Sequence, residues 1–518
     1  MLGSSILVSL ASLLVSFVGF ANQLVLARLF GASMSMDAYL IAASVPMLLS
    51  GILSAALGYS LVPALMVHKS DFAAYRRFSG LLLISLLMVS VLTSAVGFLA
   101  APVQIGLLGD ALSSAAKQQA VEIARVSWMA TGVILIVDYL RGMHNAARRF
   151  LIPIFASMAS QIGMILAGLA FGPTYGPLAV AWGMLAGFSL VIPVLLIQTL
   201  SELDFSTRCL VQLKDVAGYL YSTPLIMLAM LCFTVFQSVD AYWAPQVGTG
   251  SLAYLGYSQR ILVALGSLVI VGPAAVMLPR LAEAYAMGRI KDMLHDTRRA
   301  VWMVLAFALP VALSVSVLAA PLVRLLFERG EFDHNATQGV AAILPLMMMG
   351  MMAMLCVVMV FRALFAKHDA VRASLLGMLA AILYFSLSGL LSQRFGVEGI
   401  ALAYALTWWL VLFMSALMLW RGYLAMLFCI ENLVFGGQLA LLAVVMGVVL
   451  LAGKQWMITA NADTGLLVLQ LGVVAASAFA VYFTIAIRML SIEGVQVVYI
   501  FLRSKCEWLM SRLEKISK

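Results

Sequence analysis

Charge is what this sequence has least of. Asp, Glu, Lys and Arg make up 10% of its 518 residues and hydrophobic residues 64%, whereas soluble domains carry charge on about a quarter of their residues, so a soluble globular chain is excluded. Cysteine is scarce as well. The five present, Cys209, Cys232, Cys356, Cys429 and Cys506, are odd in number and lack any C-x-x-C spacing, which argues against a disulfide framework or a thiolate metal site. The five histidines, His68, His144, His295, His334 and His368, lie in links between apolar runs, and neither H-E-x-x-H nor a phosphate-cradling Gly loop occurs. No catalytic constellation is visible. Long polar loops are missing too: the stretch from Glu328 to Asn335 is the longest charged link on its side. A membrane enzyme working on lipid-linked sugars has no loop here to carry its catalytic groups, so the chain is expected to be no enzyme and to need no cofactor.

What the sequence does have is apolar length. Segments of about 20 mostly apolar residues, enough to cross a bilayer, fall near 4–27, 38–65, 80–107, 120–142, 151–171, 177–200, 217–244, 252–278, 300–326, 337–365, 371–392, 398–420, 435–452 and 465–488. The expected fold is an all-α polytopic membrane protein with about 14 transmembrane helices. The first run has no Lys or Arg before it and continues to about Leu26, too long for a cleaved signal, and is read as the first span. A net charge of +9 resembles a nucleic-acid signal until the basic residues are located. Of the 31, 23 lie in or within about three residues of the links after even-numbered spans or from Arg488 onward, six lie in or beside the other links, and only Arg125 and Arg260 fall deeper within spans. That is the positive-inside pattern, placing both termini in the cytoplasm, with no nucleic-acid partner.

The stretch from Asn22 to Pro63 recurs. Ala38-Tyr39 precedes Val62-Pro63 much as Ala253-Tyr254 precedes Leu278-Pro279, with 24 and 25 residues from Tyr to Pro. Gly176-Pro-Leu-Ala-Val-Ala181 aligns without gaps to Gly396-Val-Glu-Gly-Ile-Ala401 at an offset of 220, and Leu140-Arg141 matches Phe361-Arg362 upstream at 221. Ordered landmarks at one period argue for two homologous halves. The expected organisation is an N-lobe of spans 1–6 (residues 1–205), a parallel C-lobe of spans 7–12 (215–425), two extra C-terminal helices (430–490) and a cytoplasmic amphipathic tail (491–518). Six spans per half run in the same direction, the arrangement of carriers that pass substrate between two rocking lobes.

Polar side chains inside such spans are costly and face protein or water. Arg260, after Gln259 and near Tyr254, has a guanidinium suited to phosphate oxygens; it is read either as an arm of an anion cavity or as the ion-pair partner of Asp240. Asp240, five residues before Pro245, is a candidate cation or proton site. Arg28 and Asp37 flank a short turn, so Arg28 either pairs with Asp37, snorkels, or reaches the cavity. Asn22, Gln23 and Gln237 complete the candidate set as hydrogen-bonding groups. Asp138 and Arg141, three apart on one helix, read as a local pair. The methionine cluster from Met347 to Met352 reads as adaptable packing, not as a metal site.

Ala27-Arg28-Leu-Phe-Gly31-Ala-Ser-Met-Ser-Met-Asp37-Ala-Tyr39, with Val45-Pro46, Leu61-Val62-Pro63, Asn145-Ala-Ala-Arg148-Arg149-Phe150, Ser258-Gln-Arg260 and Leu278-Pro279, resembles the MurJ (MviN) family of lipid II flippases, in the superfamily of Wzx polysaccharide flippases and MATE exporters. The resemblance implies fourteen spans, arginines in the first two spans that meet a lipid pyrophosphate, and sodium coupling through spans 7 and 11. Here the matching arginine positions read Ser16, Asn22, Ser50 and Gly51. The expectation is a flippase of the bacterial inner membrane that moves an undecaprenyl-pyrophosphate-linked saccharide, lipid II-like or an exopolysaccharide repeat unit, by alternating access, coupled to Na+ or H+ through Asp240. Its partners would be that precursor, membrane lipids and envelope glycan-synthesis proteins. The alternative is a MATE-type cation-coupled exporter of small molecules. Orientation is directly measurable: a fluorescent reporter that matures only in the cytoplasm, fused after Met489, is expected to fluoresce, and alkaline phosphatase at the same position to stay inactive.

Overall fold

The computed structural model describes residues 2–67, 71–147, 149, 151–204, 227–228, 231, 233–367, 369–419, 430–458 and 464–489. The expected amphipathic tail, 491–518, and residues 217–226 at the start of span 7 lie outside the described residues. Everything regular among the described residues is helical. The helices are α1 (Leu2–Phe30), α2 (Met34–Val67), α3 (Phe72–Leu108), α4 (Ser114–Ala146), α5 (Leu151–Tyr175), α6 (Pro177–Thr199), α7 (Phe236–Val247), α8 (Ser251–Ala286), α9 (Ile290–Val317), α10 (Ala319–Phe327), α11 (His334–Ala366), α12 (Ala370–Leu419), α13 (Ile430–Met457) and α14 (Thr464–Met489). Eleven helices among the described residues are long and apolar enough to cross a membrane.

Helix starts follow local chemistry. Asp71 caps α3 by accepting from the backbone N–H groups of Ala73 and Ala74, and the Ser113 hydroxyl accepts from Ala116 to cap α4, each satisfying donors that an isolated helix leaves orphaned. Span 9 differs from the expectation. The apolar run 300–326 predicts a single helix, but α9 ends at Val317, with Leu318 as its C-cap, and α10 begins at Ala319. Pro321 explains the break: it has no N–H for the carbonyl of Val317, four residues earlier, and its ring crowds that carbonyl.

Two compact units make up the chain: Met1–Ala264 with Leu326–Ile343 and Ala370–Thr407, and Leu265–Leu325 with Leu344–Asp369 and Trp408–Lys518. In the first, α2 packs on α4, α4 on α3 and α6, and α5 on α1 and α6. Its core includes Leu61, Leu65, Phe78, Tyr139, Leu140, Met143 and Leu195. Small residues let helices α5 and α6 approach closely, because Gly183 faces the backbone of Gly163 and Gly187 that of Ala159, the small-residue packing membranes favour. In the second unit α13 and α14 pack on each other and on α9. Tyr482 donates to the Ala306 carbonyl at 2.7 Å, and Trp302 to Asn432 at 2.9 Å.

The repeat landmarks carry a shared backbone signature. Gly176, between α5 and α6, has φ 61° and ψ −151°, and Gly396, inside α12, has φ 60° and ψ −139°. That region is essentially closed to residues with a Cβ. Spans 11 and 12, expected as separate helices, are two helices that meet at a kink at Gly396 within α12. Gly31 and Gly250, in the α1–α2 and α7–α8 turns, also share positive φ, 55° and 84°. Replacing Gly176 or Gly396 with Ala is expected to cost about 1–3 kcal/mol each, read as a lowered Tm in detergent.

Candidate functional site

A bent helix shapes the site. Pro46 sits within α2 and has no N–H for the carbonyl of Ala42, four residues before it. In a bilayer, water cannot stand in for the missing donor. Gln104 on α3 supplies it, its Nε2 donating to Ala42 at 3.1 Å and to Ile41 at 3.3 Å, while its own oxygen accepts from Trp128 Nε1 at 2.9 Å. Thr131 of α4 donates to the Pro46 carbonyl at 3.2 Å. Proline, amide, indole and hydroxyl thus fix the bend against α3 and α4.

Beside it lies a cavity of about 310 Å³, every lining residue of which belongs to the first unit. Helix α1 contributes Asn22 and Gln23, α2 contributes Tyr39, Ser44 and Ser50, and α4 contributes Ser127 and Thr131. From α5 come Ser160 and Gln161, from α7 Gln237 and Asp240, and from α8 Gln259 and Arg260. Six of the eight residues expected at the site therefore meet in one wall: Asn22, Gln23, Gln237, Asp240, Gln259 and Arg260. Arg28 and Tyr254 do not line it. Arg28 is exposed, its carbonyl accepting from Glu331 N–H at 3.1 Å, and the Tyr254 ring lies against Gly339.

The two charged lining residues are not partners. Asp240 accepts a short hydrogen bond from the Tyr384 hydroxyl of α12. Tyr384 is 1% exposed and stacks on Phe236 at 4.2 Å between ring centroids, with Tyr404 edge-on at 6.3 Å. Arg260 forms no ion pair with any described residue. Its guanidinium is a cation lining a cavity of mixed polar and apolar wall, and its donors make no hydrogen bond among the described residues. Asp138 and Arg141 do pair, at 2.9 Å, and Ser54 adds a short hydrogen bond to Asp138, in a separate pocket. Arg125 lies over the Phe98 ring at 5.0 Å, a cation–π contact.

Of the three readings of Arg28, pairing with Asp37 is the one that the partners of Asp37 rule out. Its two carboxylate oxygens accept from the backbone N–H groups of Gly250 at 2.6 Å and Ala253 at 3.0 Å. The carboxylate thus caps α8 from another helix, satisfying orphan donors at the positive end of the helix dipole. Around this cap the α1–α2 turn, the α7–α8 turn and the α10–α11 link close together. Tyr257 donates to the Gly31 carbonyl at 2.7 Å, its ring 5.3 Å from those of both Phe327 and Phe332. A Cβ at Gly31 would meet the Glu331 carbonyl, and one at Gly330 the Arg28 carbonyl. Sequence reasoning missed Gln104 and Gln161. Each is a lone amide in an apolar run, which is the signal that would have found them.

Long apolar helices walled around a polar cavity define a multi-pass membrane transporter. More particularly, the family model described as "Lipid II flippase MurJ" matches residues 26–471, and the chain belongs to that family. A "Probable lipid II flippase MurJ" of Rhizobium meliloti is 29% identical over 241 residues, 46% of this chain and 45% of that protein, so this match spans about half of each. One of Vibrio cholerae is 23% identical over 446 residues, 82% of both. A solved structure described as "Lipid II flippase MurJ, inward closed conformation" superposes with a TM-score of 0.78 at 18% identity, covering 93% of this chain and 99% of that one. That likeness gives the fold.

Losing the Asp37 cap should loosen the closed end. Asp37→Ala is expected to cost about 0.5–2 kcal/mol and Asp37→Asn less, read as a lowered Tm and as faster maleimide labelling of a cysteine placed at Gln23.

Proposed function

We propose that the chain flips an undecaprenyl-pyrophosphate-linked saccharide across the bacterial inner membrane by alternating access between its two six-span lobes. The observation that carries this reading is Arg260, a cation lining a polar cavity without an ion-pair partner among the described residues. An unpaired charge away from water costs several kcal/mol, and a ligand phosphate removes that cost through a bidentate contact. Arg260 takes the pyrophosphate. Asn22, Gln23, Gln237 and Gln259 hydrogen-bond the saccharide, and the lipid tail trails outside the cavity along the two C-terminal helices.

Asp240 is the coupling group in this reading. Its carboxylate, held by Tyr384, takes up Na+ or H+ in one state and releases it in the other. Family membership favours lipid II or a close relative as cargo, while a single cavity cation also suits an exopolysaccharide unit. The product is delivered to the enzymes that polymerise envelope glycans.

Complementation tests the reading. The wild-type chain, expressed in cells depleted of their own lipid II flippase, is expected to restore growth, and Arg260→Gln at equal membrane abundance to lower plating by at least about tenfold, the effect of losing one charge-assisted contact. Should wild type fail to rescue, the lipid-linked glycan that accumulates in a deletion strain identifies the cargo. Full activity of Arg260→Gln on that cargo would refute the phosphate role.

A further inference from the structure

The cavity's serine and threonine hydroxyls and its amides are not equally available. Ser44 donates to the Ile41 carbonyl, Ser50 to Met47, Ser127 to Ile123, Thr131 to Ser127 and Pro46, and Ser160 to Ser157. These hydroxyl protons are committed to the backbone. Asn22 differs. It is 1% exposed, its Nδ2 donates to Gln161 Oε1 at 2.8 Å and lies 3.6 Å from the Met164 sulfur, and its Oδ1 has no hydrogen-bond partner among the described residues. Leaving such an acceptor unsatisfied costs about 1–3 kcal/mol. A buried amide with one edge paired and the other empty, in the wall of a ligand-sized cavity, is unfinished without a ligand.

We infer that Asn22 and Gln161 form a saccharide-reading dyad: a neutral donor–acceptor pair that binds a sugar through an acetamido group or a vicinal diol and so sets glycan preference separately from phosphate binding. The inference rests on the proposed lipid-linked saccharide reading of this cavity and adds Gln161 to it as a specificity-determining residue. The chemistry is reciprocal. Asn22 offers an acceptor, and Gln161 offers the Nε2 donor, which makes no hydrogen bond among the described residues. An acetamido group presents an N–H and a C=O on adjacent atoms, and a vicinal diol presents a donor and an acceptor at similar spacing. The side-chain amide torsion is soft, so a small turn of Asn22 brings Oδ1 to the cavity while Gln161 is released to the ligand. If both amides are turned over, the free edges exchange roles and the pair still offers one donor and one acceptor. Arg260, on α8, is charged and reads phosphate; the dyad, on α1 and α5, is neutral and reads sugar.

Three probes separate the roles: undecaprenyl pyrophosphate, the same lipid carrying N-acetylglucosamine, and the same lipid carrying galactose, each titrated into purified full-length protein in detergent by microscale thermophoresis. Wild type is expected to bind at least one sugar-bearing lipid about tenfold more tightly than the bare lipid, as two added hydrogen bonds imply. Gln161→Met, similar in volume, is expected to abolish that advantage and leave bare-lipid affinity unchanged, which also reports that the variant is folded. Asn22→Leu should do the same and serves if Gln161→Met does not fold. Loss confined to the N-acetylglucosamine lipid assigns the acetamido group; loss on both assigns the diol. Wild-type affinity of both variants for every sugar-bearing lipid, or equal weakening on all three probes, would overturn the dyad. If wild type does not bind the bare lipid, or Arg260→Gln does not weaken it, the phosphate reading fails instead. The dyad is then decided by free N-acetylglucosamine and galactose at millimolar concentration: binding that Gln161→Met abolishes sustains it, and its absence refutes it.

Discussion

A backbone carbonyl stripped of its donor inside a membrane has nowhere to turn but to another side chain, and the organisation of the first unit depends on that. Pro46 leaves a gap in the hydrogen bonding of α2, and Gln104 and Thr131 bond to the carbonyls around it. Trp128 in turn holds Gln104 in place. Remove this relay and the wall built from α2 has no fixed direction, because apolar contact between helices in lipid is non-directional and lipid tails supply it equally well. The cavity exists where it does because a proline forced the chain to spend polar side chains beside it.

Two functions are carried by the same pair of helices. On α2, Asp37 caps α8 and Tyr39, two residues on, lines the cavity. On α8, Tyr257 bonds to the Gly31 carbonyl and Arg260, one turn later, lines the cavity. An anion drawn to Arg260 therefore acts within a helical turn of the contacts that close the end of the bundle. Rigid helices transmit a displacement over such distances without intermediate devices, and Ala253 and Tyr257 belong both to the cavity wall and to the contacts at the end of the bundle.

The spans were legible because hydropathy is summed over some twenty residues and survives local irregularity. Gly176 and Gly396 were legible as a repeat from the residues around them, and their matching φ and ψ give that alignment a backbone meaning. Pro321, after an uninterrupted apolar run, broke span 9 where length alone suggested continuity. Of the polar candidates, Asn22, Gln23, Gln237, Asp240, Gln259 and Arg260 meet at the cavity, since polar groups within spans have few other places to go. Arg28 and Tyr254 sit at helix ends, where an interface or a turn satisfies them equally well. The true partners of Asp37 were out of reach of sequence reasoning: they are backbone N–H groups, identical in every residue but proline, more than two hundred positions away.

The closed end has a further property that follows from what it is made of. Its contacts are a carboxylate on two peptide amides, a tyrosine on a peptide carbonyl, and glycines against backbone. Exposed ion pairs weaken as salt shortens the Debye length from about 10 Å at 0.1 M toward 3 Å at 1 M, whereas buried contacts are screened far less. Contacts of this composition hold with nearly constant strength from dilute buffer to molar salt, so ionic strength is a poor lever on this end of the bundle.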